Sequence, residues 1–287
     1  MSKPPTTPPT TPPTTLPPTT FASTALASTV LTATEVERYR RQMLLPGLGE
    51  AGQLRLKNTT ALVTGVGGLG GTAALYLAVA GVGKLILVRG GDLQRDDLNR
   101  QNLMTDDWVG KPRVFKAQET LSAINPDIKV EAVCEYVSAE NIGTLVQQAD
   151  IALDCALDFK ERDLLNEACV QHAKPMVEAA MNSMEAYLTT IVPGETPCLS
   201  CLFPEKPEWD RWGFGVLGAV SGTLACLAAL EAIKLVTGLG KPLLGQLLTM
   251  DLARAEFAKR RPYHDPDCCV CGSKTTEHPA GLVSTLR

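Results

Sequence analysis

A chain of 287 residues with 45% hydrophobic side chains is long enough to bury a sizeable core, and its net charge of −4, with Lys and Arg scattered, leaves no basic patch for DNA or RNA. Only 5% of the residues are aromatic while Ala, Leu, Val and Gly abound, which favours helices packed on a parallel sheet over an all-β sandwich. The nine cysteines are an odd number with no secretory signal ahead of them, so no disulfide framework is expected and the thiols should stay reduced, as in a cytoplasmic protein.

In chain order, residues 1–33 are Pro/Thr repeats followed by a Ser/Thr/Ala stretch, too poor in large apolar groups to offset the entropy of ordering, and are expected to form a disordered arm. Thr34 and Glu37 have the spacing of a capping box and open a short helix on which Val36, Tyr39 and Met43 share a face, until Pro46 ends it. Strands are expected over 60–64, 84–88, 128–134, 150–154 and 175–179, and helices over 70–80, 113–124, 140–148 and 160–172. This alternation with short connections predicts an α/β fold, a Rossmann-like doubly wound sheet that is parallel in its first half. A strand over 186–192 follows too closely for a crossover helix, so the second half should be antiparallel. The uncharged run from Phe214 to Leu230 is near the lower limit for a membrane span, yet glycines interrupt it and Glu231 and Lys234 follow at once. A buried helix is expected there, and no membrane association. One domain should therefore cover residues 34–275, ahead of a flexible tail over 276–287.

Two motifs carry chemistry. Gly65-Val66-Gly67-Gly68-Leu69-Gly70 is a G-x-G-x-x-G that leaves a strand and opens a helix. Glycine lets the backbone come close to a phosphate, and the N–H groups of the helix start then face its charge. A tight turn that merely packs helix on strand would use the same residues. No G-x-x-x-x-G-K-[ST] is present, which excludes a P-loop. Arg89 stands at the end of the second strand, where an acidic residue would ordinarily hold the ribose hydroxyls. An arginine there suits a 2′-phosphate, so an NADP-dependent oxidoreductase is a competing reading of the same residues.

The second motif is a pair of pairs, Cys198-x-x-Cys201 and Cys268-x-x-Cys271. Four thiolates at this spacing suit a closed, tetrahedral, structural zinc site, whereas a thioredoxin-like redox centre needs only one pair. Cys269 and His264 lie close enough to compete for the fourth ligand position. Cys134, Cys155, Cys169 and Cys226 fall in apolar contexts and read as inert core thiols.

From Arg38 to about Gly272 an ordered set of segments resembles the ThiF/MoeB/HesA family of the ubiquitin-activating superfamily. They are Arg38-Tyr39-Arg40-Arg41-Gln42, Gly65 to Gly70 with Ala80-Gly81-Val82-Gly83, Asn99-Arg100-Gln101, Val109-Gly110-Lys111-Pro112, Asp154-Cys155, Glu231-Ala232-Ile233-Lys234 and both cysteine pairs. The resemblance implies a homodimer that binds ATP and magnesium and adenylates the C-terminal glycine of a small ubiquitin-like sulfur carrier. By the same resemblance Arg100 contacts phosphate, Asn99 and Gln101 shape the site, Asp154 lies beside it, and Arg41 reaches the nucleotide of the other subunit. On residues alone, the competing readings are a loop salt bridge for Arg100 and a solvated helix charge for Arg41.

Several departures fall on positions that the resemblance makes catalytic. Arg89 replaces the ribose-binding Asp, Arg113 stands for a phosphate-contacting Lys, and Ala156-Leu157-Asp158 replaces a Thr-Asp-Asn whose Asp helps to hold magnesium. The cysteine that some members use for thioester or persulfide chemistry would align near Arg211, where this chain has none. Val88-Arg89-Gly90-Gly91-Asp92, Met104 to Trp108 and Phe203 to Pro207 resemble the HesA branch. That branch is associated with nitrogen fixation, which implies a helper that assembles or supplies metal to the nitrogenase molybdenum–iron cofactor, with nitrogenase assembly proteins as partners. An arginine pocket of Arg89, Arg100 and Arg113 would suit an oxyanion, either nucleotide phosphate or molybdate. The metal-supply reading leads, ahead of sulfur-carrier adenylation and of the oxidoreductase.

Overall fold

The computed structural model describes residues 28–206 and 213–272. The expected arm before residue 28, the tail beyond 272 and the position near Arg211 lie outside the described residues.

The first helix, α1 (Ala33–Met43), is capped by Thr32 and Glu35. Thr32 Oγ1 accepts the Glu35 N–H at 3.2 Å and Glu35 Oε2 accepts the Thr32 N–H at 2.7 Å, so the box lies two residues before the expected Thr34 and Glu37. Both pairs have the required spacing. Burial decides between them, because Glu35 is covered and its Oε2 also pairs with Lys57 Nζ at 2.7 Å. Tyr39 is buried as expected, whereas Val36 is exposed, so the helix docks through a narrower stripe. A second helix, α2 (Gly49–Lys57), has no strong signature of its own. Its buried Gln53 is held from outside by a 3.0 Å bond to the Ala80 carbonyl.

From there the expected alternation is present. It runs β1 (Thr60–Thr64), α3 (Gly68–Ala80), β2 (Lys84–Val88), α4 (Arg113–Ile124), β3 (Lys129–Val133), α5 (Ile142–Gln148), β4 (Ile151–Asp154), α6 (Phe159–Gln171) and β5 (Met176–Asn182). Then follow β6 (Glu185–Ile191), a short α7 (Leu199–Leu202), α8 (Gly218–Thr237), β7 (Leu247–Asp251) and β8 (Glu256–Arg260). The eight strands form one sheet in the order β3-β2-β1-β4-β5-β6-β7-β8. The first five are mutually parallel, and β6, β7 and β8 pair antiparallel.

Strand alternation sends Ala61, Val63, Leu85, Leu87 and Leu153 to a core under α3, α4 and α8, while Leu62, Ile86 and Ala152 face α5 and α6. The strands are apolar on both faces because both faces are covered. Helix α8 is long and apolar enough to cross a membrane by length and composition, but half of it is buried against α3 and β5. The chain order reverses at β1, which has β2 on one side and β4 on the other. The loop after β1 therefore opens into the crevice where such sheets place ligands.

Candidate functional site

Gly65 leaves β1 with φ +108, a conformation that side chains rarely adopt, and its N–H donates to the Val88 carbonyl at 2.9 Å. Gly67 caps α3 without a side chain, and the Gly71 N–H returns to its carbonyl at 2.8 Å. The close packing belongs to Gly70: a Cβ there would sit 2.0 Å from the Gly65 carbonyl oxygen and 2.9 Å from Cys155 Cβ. A Cβ on Gly68 would meet Ser221 Oγ at 2.5 Å, which docks the loop against α8. At Gly67 the nearest atom would be Gln101 Nε2 at 3.9 Å, so the loop is open there. The first and last glycines make the turn, and the middle leaves room for a ligand.

That room is a cleft of about 430 Å³, and the structure brings most of the expected residues to it: the glycine loop, Arg89, Asn99, Arg100, Gln101 and Arg113. Gln101 is buried and its Oε1 has no hydrogen-bond partner, an acceptor in the cleft wall waiting for a donor. Arg41 is exposed in the last turn of α1 and does not line this cleft. Asp154 lies beneath the wall, fully buried, with Oδ1 accepting the Ala156 N–H at 2.9 Å. Asp158, one residue on from the position of the expected carboxylate, caps α6 by accepting the Glu161 N–H at 3.1 Å, and Leu157 takes the place in the wall.

The three arginines do not make a purely cationic pocket. Arg100 Nη2 lies 2.9 Å from Asp97 Oδ1 and Arg113 Nη1 lies 3.0 Å from Asp97 Oδ2, so a single carboxylate bridges both. Arg89 lies 3.5 Å from Glu161 Oε2 and stacks 5.2 Å from the Tyr136 ring centre. Each expected phosphate ligand thus already meets a carboxylate. Sequence reasoning missed Asp97, Tyr136 and Glu161; the only local signal was the acidic start of the turn over 95–99, where Asp97 also accepts the Gln94 N–H at 3.0 Å.

A second cavity of about 880 Å³ lies over the antiparallel half of the sheet and shares Leu157, Arg162 and Met181 with the cleft. Its apolar wall includes Phe159, Tyr187, Phe203 and Phe257. At the shared edge the buried Arg162 donates to Glu178 Oε1 at 2.8 Å, pairs with Asp154 Oδ2 at 3.4 Å and donates to the Ala156 carbonyl at 2.6 Å. Asp154 and Glu178 are register partners on the parallel strands β4 and β5. Burial, together with the neighbouring Asp154 charge, pushes the Glu178 carboxyl well above the usual carboxylate range. Tyr187 adds a hydroxyl donated to Glu178 Oε1 at 2.9 Å. A glutamate inside the apolar run Met176 to Ala180 was the sequence signal for this cluster. Burial also pushes the Cys155 thiol up, so this cysteine of the cleft wall is not a thiolate nucleophile at neutral pH.

On the face of the sheet covered by α5 and α6, the sulfur atoms of Cys198, Cys201, Cys268 and Cys271 all lie within 4.8 Å of one another. The Cys198–Cys268 and Cys201–Cys271 separations are 3.7 and 3.4 Å. Sulfurs around a tetrahedral zinc with bonds of about 2.3 Å stand about 3.8 Å apart, so the donor set fits a four-thiolate metal site. Of the competing residues, Cys269 is exposed and outside the cluster, and His264 Nε2 stands 3.5 Å from Cys271 Sγ as a neighbour. Cys198 and Cys268 belong to the core under α5 and α6, so the cluster staples the C-terminal segment to that core.

A doubly wound sheet, a glycine-lined crevice at its switch point and a clustered cysteine quartet define an α/β protein of the Rossmann-like class. Residues 39–270 match the ThiF family, and the chain belongs to that family, in its HesA branch. It is 75% identical over 240 residues to the heterocyst HesA protein of Trichormus variabilis, covering 84% of this chain and 90% of the relative. It is 38% identical over 255 residues to a sulfur carrier protein adenylyltransferase of Thermus thermophilus, covering 85% and 93%. Among solved structures, E. coli MccB with ATP superposes with a TM-score of 0.72 at 25% identity, over 84% of this chain and 75% of that one.

Proposed function

We propose that this chain binds ATP in the cleft at the glycine loop and adenylates the C-terminal carboxylate of a small protein whose tail lies in the adjoining apolar cavity. The observation that carries this reading is that the two cavities adjoin, sharing Leu157, Arg162 and Met181 in their walls, which sets the apolar cavity beside the glycine-loop cleft. The adenylyltransferase relative from Thermus thermophilus and the ATP-bound MccB structure support the nucleotide and the partner class, and favour ATP over NADP.

The chemistry asks little of the protein beyond placement. A terminal carboxylate oxygen attacks the α-phosphorus, the bond to the bridging oxygen breaks, and pyrophosphate leaves with its electron pair. The start of α3 and the forks of Arg100 and Arg113 would stabilise the charge that builds up, and the apolar wall would exclude water from the acyl-adenylate. Leu157 stands where a magnesium-holding carboxylate would be needed, and Asp158 is turned to cap α6, so that position does not fit the ion. The four cysteines would hold zinc as a structural ion, away from the reacting atoms.

Leu157 and the carboxylate-matched arginines favour a second reading, in which ATP is bound and gates supply of metal to the nitrogenase molybdenum–iron cofactor. Pyrophosphate exchange into ATP, measured with small carrier proteins ending in Gly-Gly, separates the two. Exchange that requires the free terminal carboxylate supports adenylation. ATP binding without exchange across the candidate carriers refutes adenylation and leaves the gating reading.

A further inference from the structure

Asp97 is a carboxylate placed where a phosphate would bind. Its two oxygens lie 2.9 Å from Arg100 Nη2 and 3.0 Å from Arg113 Nη1, and its side chain is only 8% exposed, so water screens neither contact well. It is also held in place. Asp97 belongs to the 3-10 turn over 95–99, and its Oδ2 accepts the Gln94 N–H at 3.0 Å.

The other described contacts of the two arginines go to neutral oxygens. Arg100 commits Nη1 to the Asp96 carbonyl at 2.8 Å and to Asn99 Oδ1 at 2.9 Å. Arg113 donates Nε to the Gly91 carbonyl at 3.3 Å and Nη2 to the Asp92 carbonyl. Among the described contacts, Asp97 is the one negatively charged partner that either fork has. The same cleft is open at Gly67 and carries the unpartnered Gln101 Oε1, so space and acceptor are ready while the cationic groups are matched from within.

We propose that Asp97 is a specificity-determining residue, a built-in counter-anion that competes with phosphate for Arg100 and Arg113. This inference rests on the nucleotide-binding reading above. An anion enters only if it outbids the carboxylate for both forks at once. A polyphosphate chain, with several charged oxygens spread over both arginines, does so; a single small anion such as orthophosphate does not. The affinity of the cleft is thereby tuned down and its selectivity tuned up.

Asp97→Asn keeps the shape and an oxygen for the Gln94 N–H while removing the charge. Calorimetry on the full-length protein would compare ATP with adenosine, which has the base and ribose but no phosphate. The substitution should tighten ATP binding by about tenfold, the scale of one like-charge contact removed from a partly screened site, and leave adenosine binding unchanged. Unchanged or weaker ATP binding by a folded variant overturns the proposal, as does equal tightening of both ligands, which would report a loosened loop. A variant-free measurement guards against misfolding: tripolyphosphate should displace ATP from the wild-type protein and orthophosphate should not. Equal competition by the two overturns it. Wild-type protein that takes up no ATP removes the nucleotide reading itself, whereas ATP uptake indifferent to Asp97 removes only this role.

Discussion

Gly67 and Gly70 stand three residues apart in one loop, and the structure assigns them opposite jobs. Alanine at Gly70 would place a methyl 2.0 Å from the Gly65 carbonyl oxygen, 2.8 Å from its carbon and 2.9 Å from Cys155 Cβ. Two of these are backbone atoms and none is the tip of a flexible side chain, so α3 has to move off β1 by roughly 1 Å to restore ordinary contact. Overpacking of this kind costs about 2–3 kcal/mol. At roughly 2–4 °C per kcal/mol for a domain of this size, the melting temperature should fall by ~5–10 °C. Alanine at Gly67 meets nothing closer than 3.9 Å, and with φ −73 and ψ −160 the backbone suits an ordinary residue. Its cost to folding is that of a weaker helix cap, about 1 kcal/mol or less. Its methyl, however, would occupy the space that the loop leaves for phosphate. Thermal melts and ATP calorimetry on the two variants should therefore dissociate: Gly70→Ala lowers stability, and Gly67→Ala weakens ATP binding by at least about tenfold with little change in melting. Equal melting losses, or full ATP affinity in Gly67→Ala, would refute this division of labour.

Cys198→Ser should release the metal and lower the melting temperature, because the cluster ties the C-terminal segment to a core that Cys198 and Cys268 help to form. Metal analysis and thermal melts check it, and full stability in metal-free protein would count against a structural ion. Burial and the Asp154 charge make the folded protein bind a proton at Glu178 more tightly than the unfolded chain does. Its raised pKa means that stability is greatest below the ordinary glutamate range and declines as pH rises through the raised value. Glu178→Gln mimics the protonated form and should flatten that decline at pH above the ordinary glutamate range. An unchanged slope in melting temperature against pH would rule out the upward shift at Glu178.

The strand–glycine–helix start was legible because its signals are local: β1 ends where the glycines begin, and each glycine answers a contact within its own turn. The parallel order and the switch to antiparallel pairing at β6 were also legible, from the lengths of the connections. The cysteine quartet could be read from spacing, although which sulfurs meet depends on α7 and the residues near 268 reaching one another across some seventy positions. Helix α2 escaped, because its buried polar Gln53 is satisfied from outside the helix, by the Ala80 carbonyl and the Gln42 side-chain amide. The capping box was displaced by two residues because Lys57, brought in by tertiary packing, buries Glu35 rather than Glu37.

By itself the sequence determined the alternation of strands and helices, the change from parallel to antiparallel pairing, the glycine turn and the family, since these are written in short-range periodicity, connection lengths, glycine placement and ordered motifs. Only the tertiary structure decided the charge state of the site. Asp97, Glu161 and Glu178 reach their arginines through loop and sheet geometry, and Coulomb energy depends on distance and burial, neither of which residue order specifies.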